Sequence, residues 1–203
     1  MNKIFYLLCI IILSGCSLSK QSNHNDLTQM RDWSTHLQKI DQLSTWSLKG
    51  KLAIYIEDER QSANIYWQQE KDNYYIQLTS FIGTHLLSIK KNQQIVEIIN
   101  NEGDKFTGKD TETLIQNISP GLHLPISALQ EWVKGNPVDA TFQLNSEQNV
   151  NTLLGQDNNH QFWYITYQQY QVFSGISLPR KIELTRDNIR LKIMINQWIL
   201  TKE

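Results

Sequence analysis

The sequence predicts a mainly β protein, a strongly curved antiparallel sheet with short helices packed against one face. Three observations carry that expectation. From about Ser44 onward apolar residues recur at every second position in run after run, the period of a strand with one buried face. Short turn-forming clusters separate the runs, which suits hairpins and leaves little room for the crossovers that parallel strands need. Helical spacing appears only in short segments, ahead of the strands and between them.

The chain has 203 residues, enough for one domain with a substantial core, and its first residues stand apart from the rest. "MNK" supplies one positive charge, and "IFYLLCIIIL" is an apolar run of about ten residues, half of the about twenty that span a bilayer. Leu13-Ser14-Gly15-Cys16 then ends in a cysteine behind two small residues, so residues 1–15 read as a secretory signal peptide. Leu13 to Cys16 also resembles the bacterial lipobox. The resemblance implies cleavage before Cys16, a diacylglycerol on its sulfur and an acyl group on its new amine. At about 0.8 kcal/mol per buried methylene, three chains anchor a protein durably. Under the sorting rule of enteric-type bacteria, Ser17 in place of an Asp implies export to the outer membrane. Cys9 leaves with the signal and Cys16 carries lipid, so no disulfide, thiolate nucleophile or cysteine metal site remains.

Residues 16–25 are polar and rich in Ser and Asn, as in a flexible tether, and the folded domain is expected over 26–203. It opens with an amphipathic helix in which Leu27, Met30, Trp33, Leu37 and Ile40 form one stripe, with Asp26 as N-cap and Gln29 at the capping-box position. Without a Lys/Arg-rich polar face this stripe covers the protein's own core rather than a membrane surface. Alternation then sets Trp46, Leu48, Leu52, Ile54 and Ile56 on one face, followed by Ala63, Ile65 and Trp67, and by Tyr74, Ile76 and Leu78. The meander continues past turn signals at Lys91-Asn92 and Asn101-Glu102-Gly103. Two helices interrupt it, "TETLIQNI" capped by Asp110 and "ISALQEWVKG" begun at Pro125 and ended by Gly135. Strands resume with "TFQLN", "FWYITYQQY", "RKIELTRD" and "IRLKIMINQWIL", the last two joined at Asp187-Asn188.

A net charge of -1 provides no field to gather nucleic acid. Hydrolase, zinc-protease, nucleotide and dinucleotide motifs are absent, and the five histidines (His24, His36, His85, His123, His160) are scattered, so neither a metal nor another cofactor is expected. Glu97 and Glu183 lie in strands where solvated carboxylates are commonplace. What stands out is aromatic and apolar content, six tryptophans included, which fills a core or lines a cavity. An enzyme is not expected.

One stretch breaks the pattern. In "TSFIGTHLL", Phe81-Ile82-Gly83 falls where a turn belongs, and turn tips are normally polar. Two large apolar side chains there either fold back on the protein or enter an apolar phase.

Three stretches, "WSLKGKLAIYI…SANIYWQQEKDNYYIQLTSFIGTHLLSI", "GLHLPISALQEWVKGNPVDA" and "LPRKIELTRDNIRLKIMINQWIL", resemble in order and spacing the LolB family of outer-membrane lipoprotein receptors of Gram-negative bacteria. The likeness covers nearly all of the chain from about Trp33. The soluble LolA carriers share the fold without a lipobox, so Cys16 decides between the two groups. The resemblance implies an incomplete, open antiparallel β-barrel of about eleven strands with an α-helical lid over a hydrophobic cavity. It implies that acylated lipoproteins are accepted from a LolA-type carrier and inserted, without ATP, into the inner leaflet of the outer membrane, by a monomer anchored there and facing the periplasm. On this chain the expected cavity is Trp46, Leu52, Ile54, Ile65, Trp67, Ile76 and Leu78, and the expected lid is Met30, Trp33, Leu37 and Trp132. The family's protruding loop usually reads Pro-Leu-Gly, and its Leu serves delivery to the membrane; Ile82 stands at that Leu and Phe81 replaces the Pro, making Phe81, Ile82 and Gly83 the expected delivery loop. The competing expectation is a lipoprotein holding a free lipid or small hydrophobic ligand in a lipocalin-like cavity, with no partner protein.

Overall fold

The protein's structure is a computed structural model that describes residues 32–57 and 59–201. Within them an 11-stranded antiparallel sheet is built in two passes. The first is a meander of β1 (Thr45–Ile56), β2 (Glu59–Glu70), β3 (Asn73–Thr79), β4 (His85–Asn92), β5 (Ile95–Asn100) and β6 (Lys105–Gly108), each hydrogen-bonded to the next. The chain then leaves the sheet and enters it again at the opposite edge. Its second pass returns through β7 (Thr141–Leu144), β8 (Val150–Gln156), β9 (Phe162–Phe173), β10 (Ile176–Arg186) and β11 (Ile189–Leu200), which closes against β1. Strands β6 and β7 remain unpaired edges, so the barrel is open.

The β1–β11 seam joins the two passes, running from Trp46 opposite Leu200 to Ile56 opposite Ile189 with a bulge between Lys49 and Gly50. Gly50 has no alternative there, because a Cβ on it would lie 2.2 Å from the carbonyl oxygen of Met194. Asp187 takes φ 49 in the β10–β11 hairpin, a left-handed conformation that Asp tolerates better than most residues. The turn expected at Lys91-Asn92 falls two residues later, at Gln93 with φ 55, because the amide of Gln93 donates to the side chain of Asn73 at 2.7 Å. Strand β8 had no counterpart in the sequence reading. Its burial does not alternate cleanly, and Gly155 sits within it.

Helix α1 (Trp33–Asp41) begins at Asp32, whose extended backbone (ψ 120) and side-chain bonds to the amides of Ser34 and Thr35 make it the N-cap. A helix running unbroken from Asp26 is therefore excluded; Asp26 itself, like Met30, Cys16, the signal segment 1–15 and the tether 16–25, lies outside the described residues. Helices α2 (Thr111–Ile118) and α3 (Ile126–Trp132) carry the chain from one sheet edge towards the other. Asp110 caps α2 through the amide of Thr113 at 2.8 Å. Pro125 has no side chain with which to cap α3, and Gly135 turns the chain with φ 79 just beyond it. Leu114, Ile115, Ile126, Leu129 and Trp132 join one core with the inward strand residues.

Candidate functional site

Beneath α2 and α3 lies an apolar cavity of about 410 Å³. Inward positions of β1, β2, β3 and β11 supply its floor: Leu52, Ile54, Ile65, Trp67, Ile76, Leu78, Leu191 and Ile193. Ile115 and Ile118 of α2, Leu122 and Leu124 of the connecting loop, and Ile126 and Leu129 of α3 form the roof. Six of the seven residues expected on the cavity wall are thus brought together there. Trp46 is not among them; it is buried beyond the wall, with its ring 5.3 Å from both Trp67 and Trp198.

The roof differs from the expected lid. Trp33 packs against Phe142 of β7, ring centres 5.3 Å apart, and α1 lies over β10, away from this cavity. Leu37 is half-buried on the same helix. Trp132 presses against Gly155 of β8, where a Cβ would come within 2.5 Å of its ring. The two segments that carry the roof, residues 111–118 and 126–132, are legible as helices but not as the roof, since no local pattern tells which part of the sheet a helix covers.

The roof is tied to the sheet along one side. Tyr74 of β3 and Thr111 share a buried hydroxyl bond of 2.5 Å, and burial pushes the Tyr74 phenol up to about 12. Gln69 donates to Gln130 at 2.9 Å, and the buried Tyr167 hydroxyl donates to the carbonyl of Trp132 at 2.8 Å. Glu112 binds the two roof helices to each other. Its carboxylate accepts from the Ser127 amide at 3.0 Å, taking the place of the side-chain cap that Pro125 lacks. Burial raises the Glu112 pKa, and the bond from Ser127 works against that rise. The buried Lys134 then fastens α3 to the end of α1, donating to the carbonyl of Leu43 at 3.2 Å and pairing with Glu131 at 2.9 Å.

At one end of the sheet the β3–β4 loop projects from the cavity wall, continuing from Leu78 and returning at Leu86. Phe81 and Ile82 at its tip are 90% and 74% exposed. The tip therefore does not fold back on the described protein. The amide of Gly83 donates to the carbonyl of Ser80 at 3.0 Å, and Gly83 has φ 89, which keeps the turn tight. A second hollow of about 450 Å³, bounded by Asn145, Gln168, Gln171 and Arg180, is polar and unsuited to hydrocarbon.

Residues 44–198 match the family described as "Outer membrane lipoprotein LolB". The chain is 42% identical over 193 residues to an outer-membrane lipoprotein LolB of Psychromonas ingrahamii, covering 95% of this chain and 93% of that one. The chain belongs to the LolB family. A LolB of Aeromonas hydrophila is 34% identical over 98% of this chain and 97% of its own length. Among solved structures, a LolA superfamily protein from Nitrosomonas europaea superposes with a TM-score of 0.55 at 9% identity, over 84% of this chain and 94% of that one. A DUF1329 family protein from Desulfovibrio piger also gives 0.55 at 8% identity, over 85% and 92%. These two likenesses concern the fold alone. The LolB family consists of outer-membrane lipoproteins with a part in lipoprotein localisation and is not a family of enzymes.

Proposed function

We propose that this protein accepts acylated lipoproteins from a LolA-type periplasmic carrier and passes them into the inner leaflet of the outer membrane. The observation that carries the reading is the apolar cavity with an exposed apolar tip rising from its wall. Acyl chains cost about 0.8 kcal/mol per methylene to expose to water, so they need an apolar route from carrier to bilayer. The cavity as it stands has the size of a pocket for one small ligand. Two or three chains enter only when the roof rises, and loop 119–124, far from the bonds to the sheet, is the part to move. Transfer needs no ATP if each station binds the chains more favourably than the last, at about 1.4 kcal/mol for each tenfold bias.

In this reading Cys16 carries the lipid anchor, residues 16–25 tether the domain, and the protein works as a monomer on the periplasmic face. Phe81 and Ile82 enter the bilayer interface, contributing about 3 to 5 kcal/mol if both side chains are buried. That orients the cavity mouth without rivalling the anchor. The test is Ile82→Glu, alone and with Phe81→Glu, scored separately for acceptance of cargo from the carrier and for its release into liposomes. Acceptance without release is the expected result. Unchanged release would make the tip merely structural, and no acceptance even by the unsubstituted chain would favour a free lipid as the ligand.

A further inference from the structure

The outer face of the sheet carries a second feature at the end where the tip projects. Strand pairing sets Leu154, Tyr164, Thr185, Arg190, Tyr55 and Arg60 directly opposite one another in a single row across β8, β9, β10, β11, β1 and β2. Tyr55 and Arg60 form the pair next to the last of the β1–β2 hairpin, and Arg190 lies one residue inside the β10–β11 hairpin. At about 3.4 Å per residue the row lies within about 7 Å of those hairpin ends. Antiparallel pairing of β3 with β2 brings the tip to the same end, and the side chain of Asn64 in β2 donates to the carbonyl of Ser80 beside it at 2.9 Å.

The row is apolar at one side and cationic at the other. Leu154 and Tyr164 are 45% and 48% exposed. The Arg190 and Arg60 guanidiniums stand 4.3 and 5.7 Å from the centre of the Tyr55 ring, which holds both forks in place. A third cation over that ring, Lys192, is neutralised by Glu183 at 3.1 Å. Among the described residues neither Arg60 nor Arg190 has a carboxylate partner. Of the described acids nearby, Asp187 pairs with Arg186 at 3.2 Å, Glu57 accepts from Asn188 at 3.4 Å, and Glu59 alternates onto the opposite face of β2, while Asp58 lies outside the described residues. Two exposed, pre-positioned forks side by side repel each other and match the oxygens of phosphate. Leucine and tyrosine beside them suit the boundary between headgroup and hydrocarbon.

We propose that this row is a docking face for the phosphate headgroups of an anionic phospholipid surface, gripped by Arg60 and Arg190 while Tyr164 and Leu154 settle into the interface. The inference rests on the delivery reading above and adds to it the class of lipid recognised. With the tip as one point of contact and the row as a second, the domain has a fixed orientation on the leaflet.

The test uses the full chain in its membrane-bound form, on vesicles of phosphatidylcholine with or without phosphatidylglycerol. A fluorophore on Thr185→Cys, within the row, is read for quenching by headgroup nitroxide lipids. Quenching should be strong on the anionic vesicles, and the pair Arg60→Gln with Arg190→Gln should lower the ratio of docked to free by about 30-fold at low salt, about fivefold per arginine. Equal quenching with and without phosphatidylglycerol, or no change in the double variant, would overturn the proposal. A double variant that docks normally but no longer takes cargo from the carrier would overturn it too, assigning the arginines to an acidic protein surface. Cargo release by the unsubstituted chain in the same vesicles is the control: release without quenching removes only this docking face, whereas absent release removes the delivery reading itself.

Discussion

Replacing Gly50 by Ala tests the seam on which both passes of the sheet depend. An alanine Cβ at this position would lie 2.2 Å from the carbonyl oxygen of Met194 and 3.1 Å from the Cα of Ile195. Both are backbone atoms of β11, so no side-chain rotation relieves the clash, and β1 and β11 must separate by close to an ångström. Separation weakens the ladder bonds flanking the bulge, which contribute about 1 kcal/mol each when made and cost about 1 to 3 kcal/mol when a buried partner is left unsatisfied. Losing two amounts to about 2 to 6 kcal/mol, a large share of the about 5 to 15 kcal/mol that holds a domain together. Urea unfolding should show the midpoint fall with the slope unchanged. Gly175→Ala is the comparison. Its Cβ meets nothing within 4 Å, but φ is +82, so it should cost only about 1 to 2 kcal/mol of backbone strain. A Gly50→Ala variant as stable as Gly175→Ala, or more so, would refute the close approach at the bulge.

Other outcomes follow from the roof and the cavity. Burial raises the Glu112 pKa in the folded state, so folding is favoured when the group is protonated and that advantage is lost as pH rises through the raised value. Glu112→Gln, which keeps an acceptor for Ser127 without the charge, should melt above the parent at pH 7, with the gap narrowing on acidification through the carboxylate range; a gap independent of pH would contradict this. Lys134→Ala leaves the carbonyl of Leu43 without its donor, while the partly exposed Glu131 keeps its bond from Asn136, and should cost about 1 to 3 kcal/mol by thermal or urea unfolding. Ala63→Phe narrows the cavity from its β2 wall and should weaken binding of a fluorescent long-chain apolar probe by about tenfold, measured by titration.

Linear sequence carries the antiparallel class, most of the strands and the anomaly at Phe81-Ile82, because period-two alternation and turn chemistry act over a few residues. It also placed Leu52, Ile54, Ile65, Trp67, Ile76 and Leu78 on one face, since inward positions of a meander share a side. What covers that face depends on how distant segments pack. Trp33 and Trp132 look like lid residues in the linear chain, yet one packs on Phe142 and the other on Gly155, and the roof comes instead from Ile115, Ile118, Leu122 and Leu129. Apolar periodicity says that a helix has a buried stripe, not which strands receive it. Likewise Arg190, far from Tyr55 and Arg60 in the sequence, joins that hairpin pair only through the register of β1 with β11. Contacts of that kind follow from the pairing of distant strands, which local spacing does not encode.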